Sequence, residues 1–318
     1  MMKIFSFLLA IAILIAAPFF GQIDLNINDI LNVSASSHML FWELRAPRVI
    51  IAFFSGAILS LAGLVFQSLF RNPLTTPFTL GVASGATLGT AIAIVFFAGA
   101  VFWQYLFSFG GALLTVFVLF LISRSLKTTQ TNSLLLVGVA LSFFYSAALM
   151  ILFFLSDFSQ SYSIVRFTMG SLNVIGFNFV YPVAIVSLLL LATIFSYRKE
   201  LKLLLASLDF AFLKGIEVEK ITMLLLLITS LAIGVCVSVV GPIGFVGLIV
   251  PHIIKVLYQK SSDQLIFPTF FYGGIFLVLC DLVARNLGAS SDIPIGVITS
   301  LLGGPFFIYL ILHRNKTR

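Results

Sequence analysis

The chain has 318 residues, 60% of them hydrophobic and only 9% charged, with a mean hydropathy of +1.17, and this composition excludes a soluble globular domain. The net charge of +7 would suit nucleic acid in a soluble protein, but here the cations sit in short loops between apolar runs, so nucleic acid is not an expected partner. Cys236 and Cys280 both lie inside apolar runs, which offers neither a disulfide framework nor a metal cluster.

A hydrocarbon layer about 30 Å thick needs roughly 20 apolar residues in a helix rising 1.5 Å per residue. That ruler predicts an all-α integral membrane protein, one transmembrane domain over 1–318, with spans near 4–20, 47–69, 78–98, 101–122, 133–155, 178–196, 221–240, 243–258, 266–284 and 295–312. The first run also has the outline of a signal peptide, since Lys3 precedes an apolar stretch ending at Ala16 and Ala17. An uncleaved first span is preferred because ten spans sort the basic residues. With both termini cytoplasmic, Lys3, Arg71, Arg124, Lys127, Arg198, Lys199, Lys202, Lys214, Lys220, Lys255, Lys260, Arg314, Lys316 and Arg318 fall inside, as the positive-inside bias requires. Arg45, Arg48, Arg166 and Arg285 are left outside.

The polar stretches 21–46 and 156–177 are external and 197–220 is cytoplasmic. Residues 161–177 are too short and too polar to span, and read as a helix lying at the outer surface. Gly81, Gly85, Gly89 and Ala93 recur every four residues, a small-residue face that invites another helix backbone. Gly56, Ser60, Gly63 and Pro73 repeat the spacing of Gly234, Ser238, Gly241 and Pro251 at a constant offset. The two copies run in opposite directions through the layer, as in the inverted repeats of transporters, with chance in a Gly-rich and Ser-rich chain as the alternative. Gly and Pro at these places also predict helix breaks, which lipid tolerates only where protein or water satisfies the freed backbone.

Several short segments taken together resemble the FecCD-type permeases, membrane subunits of ABC importers for iron-siderophores, haem and cobalamin. They are Leu44-Arg45-Ala46-Pro47-Arg48, Phe70-Arg71-Asn72-Pro73-Leu74, residues 80–86 (LGVASGA), 136–141 (LVGVAL), Met169-Gly170-Ser171-Leu172, 241–252 (GPIGFVGLIVPH), Asp281-Leu282-Val283-Ala284-Arg285, 293–299 (IPIGVIT) and Gly304-Pro305-Phe306-Phe307. The resemblance covers essentially the whole chain in order. It implies a bacterial inner-membrane permease without a cofactor. Its implied partners are ABC ATPase subunits, an extracytoplasmic substrate-binding protein, and a second permease copy or paralogue.

The resemblance implies three kinds of site. Arg45, Arg48 and Arg285, with Arg166 as a fourth candidate, would dock an acidic binding protein at the outer face. The competing reading pairs Arg285 with Asp281 one helical turn away and Arg45 with Glu43. Inside, residues 203–220 resemble a coupling helix, with Ser207 as its cap, Asp209 in its first turn, Leu208, Ala211 and Phe212 on one apolar face and Gly215 at its end; an interfacial helix on lipid is the alternative. Asn72, Leu74, Thr131 and Asn132 fall where the family narrows its cytoplasmic gate, though polar residues at helix ends are often simple caps. His252 receives no chemistry.

The chain carries no phosphate-binding loop of the G-x-x-x-x-G-K-[ST] type, so it is not expected to be an enzyme, and the energy must come from a partner or an ion gradient. An ion-coupled carrier would need a carboxylate or histidine near the middle of the layer, and the acidic residues fall near its edges. An intramembrane hydrolase would need paired carboxylates, H-E-x-x-H or G-x-S-x-G, and none is found. Ferric siderophore is the expected cargo, with haem, cobalamin or an oxyanion as alternatives.

Overall fold

The computed structural model describes residues 2–23, 25–26, 30–31, 35–97, 100–125, 131–259, 261–287 and 292–314, and the described residues contain helices and no strand. In chain order the helices are α1 (Met2–Ala16), α2 (Ser36–Met39), α3 (Ala46–Leu69), α4 (Val82–Phe96), α5 (Val101–Ser125), α6 (Thr131–Leu155) and α7 (Phe158–Thr168). They continue as α8 (Val180–Ser196), α9 (Arg198–Ala206), α10 (Leu208–Leu213), α11 (Val218–Val240), α12 (Val246–Tyr258), α13 (Ser262–Leu287) and α14 (Ile295–Arg314). A π-helical turn, Leu40–Arg45, joins α2 to α3, so much of the stretch expected to be polar loop before residue 46 is helical.

Five of these helical runs are long and apolar enough to cross a bilayer; α8 and α9 form a further pair bent by 63°. Four shorter apolar helical runs, Phe5–Phe19, Val82–Phe96, Val246–Tyr258 and Ile295–Tyr309, complete the set among the described residues. Hydropathy therefore finds the helices but overestimates two of them. The spans expected at 78–98 and 243–258 begin as irregular backbone, and the helices start only at Val82 and Val246. With 15 and 13 residues, α4 and α12 reach about 22 and 20 Å, short of the hydrocarbon thickness.

The centre of the molecule is α3, whose most apolar window is 83% buried, against 17% for α6. Small residues make this possible. A Cβ added at Gly56 would lie 2.4 Å from the Gly273 carbonyl of α13, and one at Gly63 would lie 1.8 Å from the Gly247 carbonyl of α12. These main chains touch directly, and no other side chain fits between them. The small-residue face of α4 behaves the same way: an added Cβ would meet the Gly111 carbonyl at 2.7 Å from Gly85 and the Phe107 carbonyl at 2.0 Å from Gly89. Such contacts replace the hydrophobic drive that lipid cannot supply between helices.

Pro251 breaks the ladder inside α12, since it lacks the N–H that would bond the Gly247 carbonyl four residues back. Gln67 of α3 takes over that carbonyl with its Nε2 at 3.0 Å, and Lys255 Nζ donates to Gln67 Oε1 at 3.2 Å. The buried backbone acceptor is thus satisfied from another helix. The repeated spacing noted in the sequence falls on equivalent places only in part: Gly56 and Ser60 lie inside α3 as Gly234 and Ser238 lie inside α11, and the other two pairs differ. Gly63 is inside α3 while Gly241 ends α11 with φ +72, and Pro73 lies in a turn while Pro251 is helical.

Candidate functional site

Where α4 and α12 stop short, the non-helical segments 70–81 and 241–245 come together with α14 and the stretch after α7. They wall a cavity of about 920 Å³ lined by Leu74, Phe78, Met169, Phe245, Leu301, Phe307 and their neighbours. Its polar contributors are hydroxyls, Thr76, Thr79, Thr168 and Ser300, and among the described residues no charged side chain lines it. The volume is at the upper end of the range for small-molecule sites. Non-helical backbone among apolar helices is tolerated where it borders a cavity, and it puts backbone groups within reach of a solute.

The walls are locally determined. Asn72 Oδ1 accepts from the Leu74 N–H at 3.0 Å and the Asn72 carbonyl accepts from Thr75 at 3.2 Å, a side-chain-stabilised turn after α3. Thr76 and Thr79 bond each other's backbone, and Gly81 with φ +76 starts α4. Of the four expected gate residues, Leu74 lines the cavity and Asn72 acts as a turn cap. Thr131 and Asn132 open α6, and their side chains lie outside the described residues.

At one end of the molecule, three of the four expected docking arginines are turned inward. Arg45 is 8% exposed and donates to the carbonyls of Phe19 at 3.2 Å, Pro18 and Ile23. Arg48 Nε donates to Asp281 Oδ1 at 2.9 Å, and its Nη1 reaches Asn173 Oδ1 and Asp292 Oδ2, each at 2.5 Å. Arg285 is 4% exposed with its Nε 3.4 Å from Asp281 Oδ2, an ion pair outside hydrogen-bond geometry. The spacing that allowed Arg285 to pair with Asp281 is realised, whereas Arg45 takes backbone carbonyls in place of Glu43. Guanidinium groups held in this way are not free surface groups. Arg166, near the end of α7, is exposed and borders a small pocket with Arg48, Asn173 and Asp292. A reciprocal Asp157–Gln160 capping box starts α7, which lies over α4.

On the opposite side α9 and α10 form a knuckle. Ser207 separates them, and its Oγ accepts from the Phe210 N–H at 3.4 Å. Gly215, with φ +79, closes α10: its N–H bonds the Phe212 carbonyl at 2.9 Å and the Ile216 N–H bonds the Ala211 carbonyl at 3.1 Å. The single apolar face expected for Ala211 and Phe212 does not form. Adjacent residues diverge by a helical step, so Ala211 is buried while Phe212 and Leu213 are 74% and 80% exposed. The side chains of Leu208 and Asp209 lie outside the described residues.

Composition missed Gln67, Met169, Phe245 and Ser300. The available signals were a glutamine inside an apolar run and the Gly-Pro-rich segments at 241–244 and 303–305. The decisive comparison is with a family model: the FecCD transport family matches residues 8–313. The chain belongs to the FecCD transport family. Among curated relatives of this FecCD chain, a Helicobacter pylori protein described as an iron chelatin transport system permease is 33% identical over 279 residues, 88% of this chain and 84% of that one. A cobalamin import system permease, BtuC of Halobacterium salinarum, is 33% identical over 283 residues, 89% of this chain and 76% of that one. A solved structure described as an inward-facing conformation of a metal-chelate type ABC transporter aligns with a TM-score of 0.87 at 29% identity, covering 96% and 97% of the two chains. The FecCD chain is thus an integral membrane permease of the ABC-transporter kind, a transport component and not an enzyme.

Proposed function

We propose that this permease imports a ferric siderophore, with an ABC ATPase inside and a binding protein outside, in a bacterial inner membrane. The observation that carries the reading is the uncharged 920 Å³ cavity between two broken helices, which suits a bulky chelate with an apolar exterior. Ten spans with both termini cytoplasmic fit the five long helices, the bent pair and the four short ones. A second permease copy or paralogue would complete the pathway against the lightly buried α6. Phe212 and Leu213 would seat in the ATPase, and Arg166, with the rim around Arg48 and Asn173, would meet the binding protein. Arg45 and Arg285 would hold that rim from behind. Asn72 and Leu74, with Thr131 and Asn132, would narrow the cytoplasmic exit.

The test is co-reconstitution with the ATPase and binding protein in liposomes, following uptake of iron-55 ferric hydroxamate, hemin and cobalamin with and without ATP. ATP-dependent uptake of the ferric chelate above the other two is expected. Accumulation driven by a proton gradient without the ATPase would refute the importer reading, and preferential uptake of cobalamin or hemin would refute the cargo. Phe212→Ala with Leu213→Ala should lower ATPase co-purification at least tenfold while leaving the permease folded.

A further inference from the structure

One wall residue of the cavity stands in a backbone conformation that its own side chain disfavours. Phe245 has φ +66, the left-handed region where Cβ crowds the following carbonyl and where a bulky residue is a genuine outlier. The surroundings hold it there. Its carbonyl accepts from the N–H groups of Leu248 and Ile249, both at 2.9 Å, which fixes the first turn of α12, and the Val246 N–H bonds the Gly244 carbonyl at 2.9 Å. Glycine would adopt this φ freely, and glycine occupies positions 241 and 244 beside it. A phenyl ring at the remaining position is therefore retained at a conformational cost, a pattern that accompanies function.

The ring has a built seat. A Cβ on Gly303 of α14 would lie 2.1 Å from Phe245 Cγ, so the ring rests directly on the main chain of that helix. Two residues further, Pro305 withdraws the N–H that would bond the Leu301 carbonyl, which weakens α14 at the level of the seat. Phe245 is only half-buried and forms part of the cavity wall together with Leu301 and Ser300.

The geometry points to Phe245 as a gate of this cavity, closed by the ring seated on Gly303 and opened when the strained backbone lets the ring leave that seat. This rests on the cavity being the cargo pathway. The test uses Ser300→Cys as a reporter in a Cys236→Ala, Cys280→Ala background, in right-side-out and inside-out vesicles carrying the full transporter. The probe is a membrane-impermeant sulfonated maleimide. With Phe245 present, the reporter should react from one side of the membrane only. Phe245→Ala should make it react from both sides, with the new side gaining at least tenfold in rate. Gly303→Val, which displaces the ring without removing it, should do the same, and Phe245→Leu should keep the one-sided pattern. A reporter that labels from one side in every variant refutes the gate and leaves the pathway standing. A reporter that never labels from either side refutes the pathway, and the gate falls with it.

Discussion

The charged cluster around Asp281 gives a sharp stability prediction. Asp281 is fully buried and holds Arg48 at 2.8 Å and Arg285 at 3.4 Å. Arg48 keeps a second carboxylate, Asp292, whereas Asp281 is the carboxylate in ion-pair range of Arg285 among the described residues. At 3.4 Å and an effective dielectric near 20, the Arg285 attraction is about 5 kcal/mol. Breaking a buried pair on one side costs about 3–5 kcal/mol because the other charge stays behind. Asp281→Ala should therefore lower the melting temperature of the purified protein in detergent by roughly 6–20 °C, taking about 2–4 °C per kcal/mol. Asp281→Asn, which keeps an acceptor for Arg48, should fall between. The decisive arm is Asp281→Leu with Arg285→Met, which removes both charges and should recover most of the loss. Melting of Asp281→Ala within 1 °C of the parent, or a double variant no better than Asp281→Ala, would refute the assignment of Asp281 as the counter-charge.

Two further substitutions examine the packing. Gln67→Leu leaves the Gly247 carbonyl without its donor, at a cost of about 1–3 kcal/mol; adding Pro251→Ala restores an N–H in α12, and thermal melting should show the pair less harmed than the single change. Gly89→Leu places a side chain where the Phe107 carbonyl lies 2.0 Å from the first carbon, so it should force α4 from α5 and reduce the monodisperse fraction in size-exclusion chromatography. Normal elution and melting of Gly89→Leu would show that the two helices are not locked there.

Hydropathy and spacing made much of this fold legible. Apolar runs located the helices, the four-residue period of Gly81, Gly85 and Gly89 marked a real close contact, and Gly215 was readable as a cap because only a residue tolerant of positive φ ends α10 that way. Arg285 with Asp281 was readable from their spacing, but the partners of Arg48 were not, for a physical reason. Arg48 finds its carboxylates 233 and 244 positions away, and no local pattern reports such a meeting. The helix starts at Val82 and Val246 were hidden because hydropathy measures how apolar a segment is, and irregular backbone beside a cavity can be as apolar as helix. The four-point repeat is matched only at its first two points, because equal spacing along a chain does not require equal local structure.

The backbone-on-backbone seams at Gly63–Gly247 and Gly56–Gly273 also constrain how the molecule can move. Side chains act as springs, absorbing a small displacement by changing rotamer, and the four glycines at these seams contribute none. Helices whose main chains rest on each other have less room to slide than helices kept apart by long side chains, so α3, α12 and α13 are held together most tightly at these levels. Tightness along these seams thus comes from what these positions lack.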